Sequence, residues 1–295
     1  MKKIITRIRQ STLRVIFSIF AQISPEWRFR LKGSSLHGLY IKIVTPLSSG
    51  LSEQEFEISS GPLNGYKILL DPDGWERRYI FGEYEPTIVN VVSELCKPGM
   101  IVIDIGAHYG YFSMIMAKLV GPGGRCIAFE PSPGNCEHIN YAIKANNIKN
   151  LEVFDAAVGD FDGITDFVLE ESGFMGHMID KGGGGFEITQ TESVQVVTLD
   201  KFLDFHSIKR VDLIKIDVEG AEGDVLQGAL KLLKSDYPKL IIEVHTFLPL
   251  EQHARPFIQM LCDLNYDVLD IETRLPVRIG NFSGGHVLAI PQTAA

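Results

Sequence analysis

Residues 101–130, IVIDIGAHYGYFSMIMAKLVGPGGRCIAFE, constrain the chain more than any other stretch. They read in order as strand, glycine turn, helix, second strand and terminal acid. Ile101–Ile105 is a continuous apolar block around one acid, the pattern of a strand buried on both faces of a parallel sheet. Gly106 and Gly110 bracket the turn and permit a positive φ or close backbone approach. Tyr111, Phe112, Met114, Ile115 and Leu119 then form a helical apolar face, which Gly121-Pro122-Gly123-Gly124 ends. Cys126–Phe129 supplies the next strand and delivers Glu130, 20 positions after Gly110. In a right-handed βαβ unit that carboxylate lands beside the glycine turn, where it can accept both hydroxyls of a ribose.

Two nucleoside ligands compete for such a turn. A dinucleotide would call for G-x-G-x-x-G facing a pyrophosphate, but Ala107, His108 and Tyr109 stand between the two glycines here. Asp104, just ahead of the first glycine, suits the cationic amino-acid end of S-adenosylmethionine and disfavours a diphosphate. The expected cofactor-binding set is therefore Asp104, Gly106, His108, Gly110 and Glu130.

Further strands follow at Leu151–Phe154, Val211–Ile216 and Leu240–Ile242, with Tyr266–Leu269 and His286–Ile290 as an antiparallel closing pair. Asp155 ends the first of these and can accept from an adenine amino group or serve as a turn aspartate. Asp217 ends the next, across the strand-order reversal from the glycine turn. Glu243 and His245 end the third and, two residues apart on a strand, point the same way. Residues 161–197 break this rhythm: Phe167–Leu169 and Val194–Val197 are expected to pair around a glycine-rich loop that carries His177 and the tetraglycine 182–185. His177 there faces either the acceptor or solvent.

The run VIDIGAHYGYFS, followed by FEPSP, AAVGD, VTLD and LIKIDVEGAE, resembles the FkbM-type family of S-adenosylmethionine-dependent methyltransferases over roughly residues 80–247. One position departs, since His108 stands where the family tends to carry asparagine. The resemblance implies a class I, Rossmann-like α/β fold: a doubly wound, mostly parallel seven-stranded sheet with an antiparallel closing strand, here behind an N-terminal helical and β extension. It also implies methyl transfer, mostly to hydroxyl oxygens of sugars or small secondary metabolites, and the same role for Asp155 at the adenine.

Methyl transfer to an unactivated alcohol requires alignment and removal of a proton. That need singles out Asp217, Glu243 and His245, with His245 or Asp217 as general base and Glu243 orienting its partner. Glu219 is open to a helix-capping role, and Glu243 to pairing with Lys215. A divalent ion on Asp217, Glu243 and His245 is conceivable, although no spacing enforces one and no metal is expected. A nicotinamide-dependent oxidoreductase and a non-catalytic nucleoside-binding scaffold are the competing functions.

The 295 residues, 45% hydrophobic and 22% charged, suffice for one large core with a small appendage. The expected division is a basic helix at 1–33, an extension at 34–85 and the cofactor domain at 86–295. Tyr84 and Glu85, after an aromatic and charged run from Trp75, are candidates for a lid that excludes water. Four cysteines without C-x-x-C or metal spacing read as reduced thiols of a cytoplasmic protein. Residues 1–32 carry eight Lys or Arg against Glu26, leaving +7 there and −16 on the rest. So acidic a body argues against nucleic acid and leaves a small-molecule or glycan acceptor as partner. Ile4, Ile8, Val15, Ile19 and Ile23 fall on one helical face, with Lys3, Arg7, Ser11, Arg14 and Ser18 opposite. The apolar run is far short of the roughly 20 residues that span a bilayer. Residues 1–24 thus either pack on the domain or lie peripherally on the inner membrane surface. The oligomeric state is not legible.

Overall fold

In the computed structural model, Ile101–Ile105 (β3) is an interior strand of a seven-stranded sheet. The structure describes residues 2–21, 42–44, 46–49, 51, 53–72, 75–169, 176–178, 190–245, 250–278, 280 and 282–292. Two compact units divide the chain: Met1–Pro86 with Asn140–Asn147, and Thr87–Ile139 with Ile148–Ala295.

The first unit holds helix α1 (Lys2–Ala21), the antiparallel pair β1 (Gln54–Glu57) and β2 (Lys67–Leu70), and a 3-10 helix at Trp75–Phe81. Its core is aromatic. Phe17 meets Phe56 and Phe81 at centroid distances of 5.6 and 5.9 Å. Helix α1 belongs to this unit and is not a separate segment.

The second unit opens with α2 (from Pro86 to Leu95), whose Ile88, Val89, Val91, Val92 and Leu95 are buried. Then come β3, α3 (Tyr111–Val120), β4 (Arg125–Phe129), α4 (Pro133–Ala145) and β5 (Leu151–Phe154). After an inserted segment follow α5 (Leu199–Phe205), β10 (Leu213–Ile216), α6 (Glu222–Gln227), α7 (Leu230–Ser235), β11 (Lys239–Val244), α8 (Leu250–Asp263), β12 (Tyr266–Asp270) and β13 (Gly285–Pro291). The sheet order is β12-β13-β11-β10-β3-β4-β5. Only β13 runs against its neighbours, pairing antiparallel with both β11 and β12. Continuous apolar runs such as Leu213–Ile216, buried at every position, are what a sheet covered on both faces demands. This is the doubly wound α/β fold expected from the strand pattern.

Strand order reverses between β3 and β10, and the ends there are level: Ile105 pairs with Ile216 and Phe129, and Ile216 with Ile242. Gly106, Glu130, Asp217 and Glu243 therefore leave the sheet side by side, at the crevice where such sheets bind ligands.

The insertion pairs its two expected strands antiparallel and adds two more. The strands β6 (Ala157–Val158), β7 (Gly163–Leu169), β8 (Gly176–Met178) and β9 (Gln190–Val197) make a second sheet, in which Phe167 pairs with Glu192 and Val194 with Thr165. Backbone pairing puts His177 on β8 opposite Val168, on a strand and not in a loop. The tetraglycine lies outside the described residues.

Candidate active site

Glu130 is the hinge of the site. Its buried carboxylate accepts the His108 N–H at 2.7 Å through Oε2, and the Ser132 N–H at 2.9 Å and the Asn135 amide at 3.2 Å through Oε1. The acid thus clasps the glycine turn. A carboxylate offers about four acceptor positions, so these bonds leave room for one ribose hydroxyl on Oε2, not the pair the sequence suggests. Burial pushes Glu130 up to about 7 against the lowering effect of its donors.

The turn itself is held by glycine. At Gly106, φ +79°, an added Cβ would stand 1.7 Å from the Asp217 carbonyl oxygen, and at Gly110, φ +76°, 3.0 Å from Ile139. His108 takes φ 50°, a left-handed conformation that asparagine and histidine tolerate better than most side chains. Its ring stacks on Tyr109 at 4.4 Å, and Tyr109 on His138 at 4.0 Å. Burial drives the His108 imidazole down to about 4, so it is neutral.

Asp104 is placed differently from expectation. It has no exposed surface, accepts the Ser113 hydroxyl at 2.5 Å and lies 3.9 Å from the Lys215 ammonium. Its Oδ1 accepts no hydrogen bond among the described residues. Its part is to counter-charge Lys215, which also pairs with Asp217 at 3.0 Å and lies 5.1 Å from the Phe112 ring centroid. Lys215, on β10, is 2% exposed.

Across the crevice, His245 sits among carboxylates. Its Nε2 is 3.0 Å from Glu219 and 3.8 Å from both Asp217 and Glu243; its Nδ1 is 2.9 Å from Glu222. Glu222 is fully buried, accepts the Gly220 N–H at 3.0 Å and meets His253 at 2.7 Å. Burial alone would lower His245, but the bonds to Glu219 and Glu222 and the charge of Asp217 raise it to about 11. Burial would likewise raise Glu222, yet its two histidines hold it at about 2. The bonds to Glu219 and Glu222 favour the imidazolium at His245, which turns the base role toward Asp217. Asp217 is raised by burial but brought below its usual range by Lys215 and His245. Glu219, at φ 51°, meets His245 and does not cap α6; Glu222 takes the Gly220 amide instead. Glu243 faces His245 and His286, the latter at 3.2 Å, while Lys215 pairs with the two aspartates. The ligand atoms of Asp217, Glu243 and His245 lie within 4.8 Å of one another, a set able to hold a divalent cation.

Asp155 lines an apolar cleft of about 420 Å³ with Phe154, Ala156, Phe202 and His206. Tyr84 packs edge-on against Tyr79 at 4.9 Å in the first unit, and Glu85 there takes φ 41°.

Sequence reasoning missed Glu222 and His253, and it gave Lys215 to Glu243 where the structure pairs it with Asp104 and Asp217. Glu222 stands in the quoted run LIKIDVEGAE, three residues after Glu219, and could have been found there. His253 is a lone histidine before the helical face of Ala254, Phe257, Ile258 and Leu261, with no local signal.

A model of the methyltransferase FkbM domain matches residues 104–268, more than half of the chain and the span that carries Glu130, Asp217 and His245. The chain belongs to the FkbM methyltransferase family. Its relatives include a 2-O-methyltransferase, NoeI, of Sinorhizobium fredii, 26% identical over 48% of this chain and 63% of that one. Another is the 31-O-demethyl-FK506 methyltransferase FkbM of Streptomyces tacrolimicus, 28% identical over 50% and 66%. The chain spans less than two thirds of the length of the curated relatives it matches. Among solved structures, an FkbM methyltransferase of Methylobacillus flagellatus aligns with TM-score 0.45 and 14% identity, over 72% of this chain and 52% of that one.

Residues 104–268 are an FkbM methyltransferase domain, and S-adenosylmethionine is the cofactor that the sequence implies for it. The residues present fit that cofactor: Glu130 retains an acceptor position beside the glycine turn, and Asp155 stands in an aromatic-walled cleft suited to a flat base.

Proposed function

We propose that the chain methylates a hydroxyl oxygen of a sugar, a glycolipid or a small secondary metabolite. One observation carries this reading: His245 Nε2 and Asp217 Oδ1 are 3.8 Å apart. That is too long for a hydrogen bond between them and leaves room for an oxygen within reach of both. An acceptor hydroxyl placed there donates its proton to Asp217, which Lys215 keeps ionised, while the His245 charge beside it favours the oxygen that remains. Glu222 fixes the ring through Nδ1, and Glu219 sustains its charge. S-adenosylmethionine supplies an electrophilic methyl, so the protein's work is alignment and proton removal. Glu130 and Asp155 hold the nucleoside end. The relatives named for 2-O- and 31-O-methylation support oxygen as the acceptor atom.

The test is a screen of sugars, glycolipids and polyketides with a methyl-labelled donor. With an accepted substrate, Asp217→Asn should lower kcat at least about 100-fold, the usual yield of a positioned base, with cofactor affinity retained. Unchanged turnover would end the assignment. A second reading rests on the cluster of Asp217, Glu243 and His245, since a divalent ion there would acidify the acceptor hydroxyl. Loss of turnover with a chelator and recovery with magnesium would select it.

A further inference from the structure

Helix α1 has two apolar faces. On one, Leu13 and Phe17 are buried, Phe17 against Phe56 and Phe81, while Arg9 donates to the carbonyls of Leu47 and Pro46 at 3.1 and 3.0 Å. That face is satisfied within the N-terminal unit. The other consists of Ile4, Ile8, Val15 and Ile19, with Ile5 at its margin, and these are 64, 60, 57, 61 and 51% exposed. Their spacing places the first four in a single stripe along the helix. Exposed apolar side chains are ordinary when scattered singly, but five on one 20-residue helix form a patch. The sequence leaves open whether this helix packs on the protein or meets something else; the structure gives each purpose its own face.

Charge names the occupant. Arg7 is exposed and stands one turn from Ile4. Residues 1–32 carry +7 against −16 on the remainder. A second copy pairing through the stripe would bring two such basic segments together. A nucleic acid would use the arginines and leave the isoleucines in water. Only an anionic bilayer satisfies both, taking the apolar stripe into its acyl boundary and the basic charge among its headgroups. No described helix is long and apolar enough to cross a membrane, so the contact lies in the plane.

We propose that α1 docks flat on an anionic membrane through Ile4, Ile8, Val15 and Ile19, with Arg7 beside the headgroups. The experiment is sedimentation of the full chain with phosphatidylcholine vesicles, with and without about one third phosphatidylglycerol. The chain should pellet with the anionic vesicles, and a variant carrying Ile8→Asp, Val15→Asp and Ile19→Asp should partition at least about tenfold more weakly. Arg7→Glu should weaken partition about fivefold or more. All four side chains are exposed, so thermal unfolding and S-adenosylhomocysteine binding should be unchanged, which separates lost docking from lost folding. Equal pelleting of wild type and triple variant would overturn the proposal. So would absence of wild-type pelleting, or a dimer in sedimentation velocity that the triple variant dissolves.

Discussion

Glu130 accepts two backbone N–H groups and a side-chain amide, which favour its ionised form, yet burial carries it to about 7. Only the ionised carboxylate accepts with both oxygens from neighbouring donors. A carboxylate raised in this way is charged above about 7 and takes a proton below it. Affinity for S-adenosylhomocysteine should therefore rise as pH climbs from 6 to 8, by up to about tenfold per pH unit below the transition, and titration calorimetry would show it. In Glu130→Gln that rise should vanish. The acid was legible from its distance to the glycine turn. The charge on His245 was not, because it depends on Glu219 from a turn and Glu222 from a helix, partners that only the folded chain assembles. Asp104 illustrates the opposite error. Its position in the chain marks the turn, but whether its carboxylate faces a ligand or a buried lysine depends on a side chain 111 residues away.

The elements that carry the site were read from local pattern, because continuous apolar strands and amphipathic helices record burial in their own composition. Their ends fix the chemistry. Gly106 lets the turn after β3 come against the carbonyl of Asp217 at the end of β10, so this one glycine joins the cofactor half of the site to the acceptor half. Gly106→Ala combines a backbone clash with φ +79° and should destabilise the fold by more than about 3 kcal/mol, measured by urea unfolding. Stability within about 1 kcal/mol of wild type would mean that the two turns are not so joined. Helix α8 shows where pattern fails. Pro256 suggests a helix start, yet the helix begins at Leu250 and carries the proline inside. Burial of Ala254, Phe257, Ile258 and Leu261 outweighs the lost backbone bond. The inserted sheet was only partly readable, since its register depends on pairings across a long intervening segment.

At the scale of the molecule, the family span of residues 104–268 lies almost wholly in the second unit, and of the first unit it takes in Asn140–Asn147 alone. The first unit was the least legible part of the sequence: its core joins Phe17, Phe56 and Phe81, residues too far apart in the chain to leave a periodic trace. What distinguishes this chain from a bare methyltransferase domain is therefore its basic, two-faced helix. The central claim concerns the second unit, where the clasp between Glu130 and the glycine turn holds the methyl donor. Titration calorimetry of S-adenosylhomocysteine into wild type and Glu130→Ala tests it most directly. The account predicts binding to wild type, at least about tenfold weaker binding to the variant, and no heat from NAD. Equal affinity of the two proteins, or binding of NAD alone, would contradict it.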